Sequence, residues 1–114
     1  MAKCWQYLSE AAQMAYDNKD YKNYYLCAIG VRRDGAVVKS CNIPNIVQNH
    51  KAHAECRLVR KLDKGSTVYV SRVSRSGHVC MARPCPICYQ FLKRKGVKRC
   101  YYTISESEYG TIDF

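Results

Sequence analysis

Two short segments hold residue types that can act together: His53-Ala54-Glu55 and Pro84-Cys85-Pro86-Ile87-Cys88. Zinc takes four tetrahedral ligands, and a catalytic site supplies three of them, leaving the fourth position for water. His53, Cys85 and Cys88 make three. Cysteines three apart on a helix share one face. A helix N-terminus favours the thiolate through its dipole and its unsatisfied amides. Glu55 stands two residues past the histidine, near enough to move a proton and not placed to ligate. That division of labour suits hydrolysis at an amidine-like carbon. The attacking water must lose a proton, and the ring nitrogen and the leaving amine must each gain one.

Less specific readings compete. With eight cysteines in 114 residues, a Cys-x-x-Cys pair arises readily by chance, and the spacing also serves redox motifs and zinc knuckles. A purely structural zinc site would need a fourth protein ligand, with His50, Cys56, His78 and Cys80 as candidates. It would leave Glu55 without a role. His50 and His78 otherwise read as loop surface residues. Cys4, Cys27, Cys41, Cys56, Cys80 and Cys100 read as small core hydrophobes. A disulfide scaffold is disfavoured, because no secretory leader is evident and the apolar content, 47%, is ample for a core. Reduced thiols and a cytoplasmic location are expected.

Nineteen Lys and Arg against nine Asp and Glu give a net charge of +10. The excess is concentrated: residues 57–99 hold twelve basic residues and one acid, Asp63, whereas residues 1–56 hold seven and five. Such a face suggests phosphate, in a nucleotide or in a strand. Arg83, Lys93 and Arg94 are the candidate phosphate contacts, although a basic helix end also simply complements the helix dipole. No run approaches the ~20 apolar residues of a membrane span.

The elements that must position these residues follow from periodicity and turn chemistry. Residues 3–17 carry Trp5, Leu8, Ala12, Ala15 and Tyr16 at helical spacing. Residues 24–31 are an apolar strand, and Asp34-Gly35 turns the chain into a returning strand over 36–40. Residues 41–52 read as a loop. A helix is expected over 53–64, with Cys56, Leu58, Val59 and Leu62 on its apolar face and Gly65 closing it. Residues 67–73 alternate as a strand, and 74–83 read as a loop. Residues 85–95 form a helix with Pro86 in its first turn and Gly96 as its cap. A strand over 97–104 and a short one over 109–112 complete a single domain, residues 1–114. Tyr24, Tyr25, Tyr101 and Tyr102 are assigned to strand packing, and Tyr89 lies beside the cysteine pair. Helices alternating with strands predict a three-layer α/β/α sandwich around a mixed sheet of four to five strands.

His-Ala-Glu followed by Pro-Cys-x-x-Cys resembles the signature of the cytidine deaminase superfamily. The likeness covers most of the chain, including the spacing from Glu55 to Pro84. Arg83-Pro84, the Gly96-Val97-Lys98-Arg99 turn, Tyr101-Tyr102-Thr103 and the closing Tyr109-Gly110 are similar to small members found among phage proteins. The resemblance implies zinc on His53, Cys85 and Cys88, with Glu55 as the proton shuttle. It also implies substrate contacts from Asn42, the backbone of Ala54, and Pro84. Larger nucleotide and tRNA deaminases continue with further helices where this sequence stops at Phe114. A compact or oligomeric form is therefore expected, with its end resembling the free-nucleoside branch. The expected substrate is a free cytidine or deoxycytidine, or its monophosphate. Cytosine in single-stranded DNA or RNA is the alternative. An adenine or guanine deaminase, or an inactive nucleic-acid-binding form, comes third.

Overall fold

The computed structural model describes residues 2–17, 24–41, 58–74 and 76–114. Helix α1 (Ala2–Asp17) precedes strands β1 (Tyr24–Val31) and β2 (Val37–Cys41). A short 3-10 helix, η1 (Val59–Lys61), leads into β3 (Thr67–Ser74) and β4 (Val79–Cys80). Helix α2 (Pro86–Lys95), β5 (Arg99–Thr103) and β6 (Tyr109–Asp113) follow. The sheet runs β2-β1-β3-β5-β6, with β4 paired to β3. β3 and β5, joined through α2, are parallel; every other pairing is antiparallel.

Alternation along β3 separates two cores. Val68 and Val70 face Leu58, Leu62, Leu92 and Val97 on the α2 side. Tyr69 packs with Cys4 and Leu8, and Val73 packs with Ala15, on the α1 side. The Ser71 hydroxyl donates to the Leu8 carbonyl at 2.6 Å, tying α1 to the middle of the sheet. α1 on one face, and η1 with α2 on the other, give the expected three layers. Among the described residues, no helix is long and apolar enough to cross a membrane.

Several details depart from expectation. The apolar face of α1 is Cys4, Leu8, Ala11 and Ala15. Tyr16 lies outside it, 47% exposed, against Gly77. The stripe is set by the small residues that let the helix approach the sheet. Loop 74–83 contains β4, because Gly77, at φ +91°, turns the chain back onto β3. The sheet thus has six strands, or five without the two-residue β4. The helix expected over 53–64 falls largely outside the described residues, and its described end is the 3-10 turn η1.

The disfavoured disulfide is present. Cys27 and Cys41 are directly opposite in the β1–β2 register, with Cα atoms 4.0 Å apart, and their sulfurs are bonded. The hairpin explains it. With Asp34-Gly35 as the turn, the two strands bring these positions face to face within the α1-side core. Cys4 and Cys100 are buried as expected, and burial pushes the Cys4 thiol up.

Candidate active site

Helix α2 begins where the sequence says it must. Cys85 is the N-cap residue, extended at ψ 163°, and Pro86 follows in the first turn, where its missing amide is harmless. Gly96 ends the helix at φ 90°, and Lys93, Arg94 and Lys95 in the last turn complement the dipole. Cys88 and Leu92, four apart, are fully buried against the sheet and fix the helix rotation. Tyr89 packs its ring on Phe114, with centroids 5.1 Å apart, and so serves the fold rather than a base.

The loop before the helix is fastened to the C-terminal ends of the central strands. The Ala82 amide donates to the Thr103 carbonyl at 2.8 Å, and the Thr103 hydroxyl donates to the Cys80 carbonyl at 2.8 Å. Cys85 and Cys88 therefore stand beyond the carboxyl ends of the parallel pair β3 and β5. That is where open α/β sheets place their ligands.

The two thiols fit a zinc-binding pair. Neither is in a disulfide, Cys85 is half-buried and Cys88 is buried one turn on. The Cys85 sulfur does not cap the helix. Sulfur donors at a helix N-terminus, with no acidic residue in the first turn, suit a soft divalent cation. Among the described residues, no group of three His, Cys, Asp or Glu forms around them. Two of the four candidate fourth ligands are engaged elsewhere: His78 Nδ1 lies 3.2 Å from Glu106, and the Cys80 thiol donates to the His78 carbonyl at 3.3 Å. His53, Glu55, Asn42, Ala54, His50 and Cys56 lie outside the described residues.

Pro84 is buried, whereas Arg83 is exposed. The Arg83 guanidinium sits 5.8 Å from the centroid of the Tyr102 ring, and Nη1 donates to the Tyr102 hydroxyl at 3.2 Å. Lys93 and Arg94 are exposed too, but lie at the far end of α2, roughly 8–14 Å along the helix from the cysteines. The structure thus keeps Arg83 with the thiols and separates Lys93 and Arg94 from them.

Sequence reasoning missed Arg72. It occupies a β3 position in phase with core Val68 and Val70, so it faces the α2 side, with Nε shielded from solvent. The signal was available: a charged residue at an inward position of an otherwise apolar alternation. The strongest titration shifts lie on the opposite face. Burial pushes Tyr69 up to about 12, and the neighbouring Cys4 raises Tyr109. A cavity of about 80 Å³ beside α1, lined by Trp5, Leu8, Val79, Thr103 and Glu106 among others, is too small for a nucleoside.

The profile of the cytidine and deoxycytidylate deaminase zinc-binding region matches residues 1–104. Among solved structures, cytidine deaminase from Burkholderia pseudomallei is similar at 21% identity and TM-score 0.66, over 93% of this chain and 89% of that one. Cytidine deaminase from Mycobacterium tuberculosis is similar at 26% identity and TM-score 0.53, over 86% and 81%. None of the curated proteins matches the chain.

Proposed function

The chain belongs to the cytidine and deoxycytidylate deaminase family, which its match over residues 1–104 shows, and from that premise we propose that it deaminates cytosine hydrolytically in a free cytidine or deoxycytidine nucleoside or monophosphate. The observation that carries the reading is the pair of thiols at the N-terminus of α2, beyond the ends of β3 and β5.

A zinc ion held by His53, Cys85 and Cys88 would supply an acidified water at neutral pH. The chain's own residues do the rest. The first turn of α2 presents Cys85 and Cys88 together, three residues apart, as the sulfur donors. Glu55 takes a proton from the attacking water and returns it to N3 of the base. Glu55 then carries the second proton to the departing amine, so cytosine and water become uracil and ammonia. The Ala54 amide and Asn42 orient base and sugar, and buried Pro84 forms wall beside the thiols. A cytoplasmic homo-oligomer is part of the same reading.

Cytosine in single-stranded nucleic acid is the second reading. Exposed Lys93, Arg94 and Lys98 favour it. A strand reader loses affinity steeply with salt, whereas a monomer enzyme does so shallowly.

The test is a mass-spectrometric deamination screen of the zinc-loaded protein, with Glu55→Ala as control. It covers cytidine, deoxycytidine, their monophosphates, adenosine, guanine, and single-stranded DNA and RNA. Uracil formation from monomers, absent in Glu55→Ala with zinc retained, is expected. Conversion of strands alone would replace this reading with the second. A purine product would move the protein to another branch. Bound zinc with no product from any base would make it a non-enzymatic binder.

A further inference from the structure

We propose that Arg83 is the phosphate-recognising residue of this site, and that the substrate is therefore a cytidine nucleotide carrying a 5′-phosphate rather than a nucleoside. This rests on the deamination reading and sharpens it.

Arg83 is two residues before Cys85, so their Cα atoms lie within about 7 Å. Its guanidinium is held in place by a ring, not by an acid. The ring of Tyr102 supports it, and the Tyr102 hydroxyl takes one N–H from Nη1. Arg32 and Arg99 have carboxylate partners, Asp34 and Asp63 for the first and Asp113 for the second. Arg83 has no carboxylate partner among the described residues, and the remaining N–H groups of its fork find no protein acceptor there.

Tyr102 is itself fixed. It is 7% exposed, and its ring lies where a Cβ on Gly110 would be, directly across the β5–β6 register. The absence of a side chain at Gly110 lets the ring lie along the sheet and present its hydroxyl toward Arg83. Two residues on adjacent strands, Tyr102 and Gly110, thus hold a single cation at the rim of the thiol pair.

The chemistry that fits such a cation is a phosphate. A planar guanidinium pairs two N–H groups with two phosphate oxygens, and anchoring it beforehand reduces the entropy lost on binding. The reacting carbon of the base must lie beside the position where the thiols would hold zinc. The phosphate, at the other end of the nucleotide, then points outward, where Arg83 is exposed.

The experiment measures kcat/KM for cytidine 5′-monophosphate and cytidine, and for the deoxy pair. Wild type is compared with Arg83→Gln, Arg83→Lys and Tyr102→Phe. A single-stranded oligonucleotide with one internal cytosine supplies the other source of phosphate. Wild type should prefer the monophosphate at least tenfold. Arg83→Gln should reduce that preference about 10- to 100-fold, Arg83→Lys less, and Tyr102→Phe about 3-fold. An equal fall for nucleoside and monophosphate would overturn the proposal and make Arg83 a support of the cysteine pair. So would conversion of the oligonucleotide alone.

Binding of cytidine 5′-monophosphate and cytidine by calorimetry to Glu55→Gln, with and without Arg83→Gln, reads the contact without turnover. A tenfold loss for the monophosphate alone would uphold the contact even if no base is deaminated. An unchanged monophosphate affinity would overturn it.

Discussion

Replacing Gly110 by alanine tests the packing that underlies the site. A Cβ at position 110 would meet Cζ, Oη and Cε2 of Tyr102 at less than ordinary contact distance. Gly110 has no left-handed φ to protect, so alanine itself is conformationally welcome. It should restrict the unfolded chain and gain about 0.5–1 kcal/mol. The clash acts against this. The Tyr102 ring is part of the α2-side core with Val97, Cys100 and Ile112, and cannot swing freely. Overpacking of this kind costs about 1–3 kcal/mol. The half-buried bond to Arg83 adds about 1 kcal/mol when it breaks. The net expectation is destabilisation of about 1–2 kcal/mol. At this chain length that lowers Tm by roughly 4–8 °C. The assay is urea and thermal unfolding of wild type, Gly110→Ala, Tyr102→Leu and the double variant. With leucine at 102 the obstructing ring atoms are gone, so Gly110→Ala should become neutral or stabilising. The coupling should be at least about 1 kcal/mol. Additive effects within about 0.5 kcal/mol, or a stabilised single variant, would refute the reasoning and detach Gly110 from the placement of Arg83.

Cys88→Ser and Cys85→Ser should each reduce zinc retained after dialysis from one equivalent per chain to near none, as read by atomic absorption. Cys80→Ser and Cys100→Ser should leave it unchanged; equal loss in all four would remove the helix pair from its proposed role. Reduction of Cys27–Cys41, a separation of 14 residues, should remove about 3 kcal/mol of loop-entropy stabilisation. Tm should then fall by roughly 10 °C, and an unchanged Tm with both thiols titratable would contradict this. Tyr69 is raised from 10.0 to about 12, so the fold favours its protonated form. Its contribution is complete below pH 10 and lost as pH rises from 10 to 12. Urea midpoints across that window should fall more steeply for wild type than for Tyr69→Phe.

The legible parts of this protein are those fixed by neighbours in sequence. Asp34-Gly35 gives the β1–β2 hairpin, Pro86 and Gly96 bracket α2, and alternation over 67–73 gives the central strand. The thiol pair is legible for the same reason, since its spacing and its helix N-terminus are both local. The contacts that sequence reasoning misjudged or did not reach depend on register. Cys27 opposes Cys41 only because the hairpin has the turn length it has. Tyr102 covers Gly110 only because β6 returns beside β5 in one register. Reading Tyr102 as core was correct and incomplete, because the same ring that fills the core also positions a surface arginine.

That double use explains why a chain this short builds a site from few parts. The parallel β3–β5 pair ends at one edge, and α2 must start there to cross back between the two strands. The loop at that edge is held at both strands, through Thr103 on β5 and through the β4 pairing to β3. Because Cys85, Pro84 and Arg83 are consecutive on that loop, whatever fixes one of them constrains the others. Burial of Cys88 sets the helix, buried Pro84 sets the turn, and Tyr102 sets the guanidinium. A nucleotide bound here would meet thiols, wall and cation with their relative positions already determined. Substrate selectivity should therefore be sensitive to β6, a strand that supplies none of the proposed zinc ligands, and a Gly110 variant should alter phosphate preference before it alters zinc content.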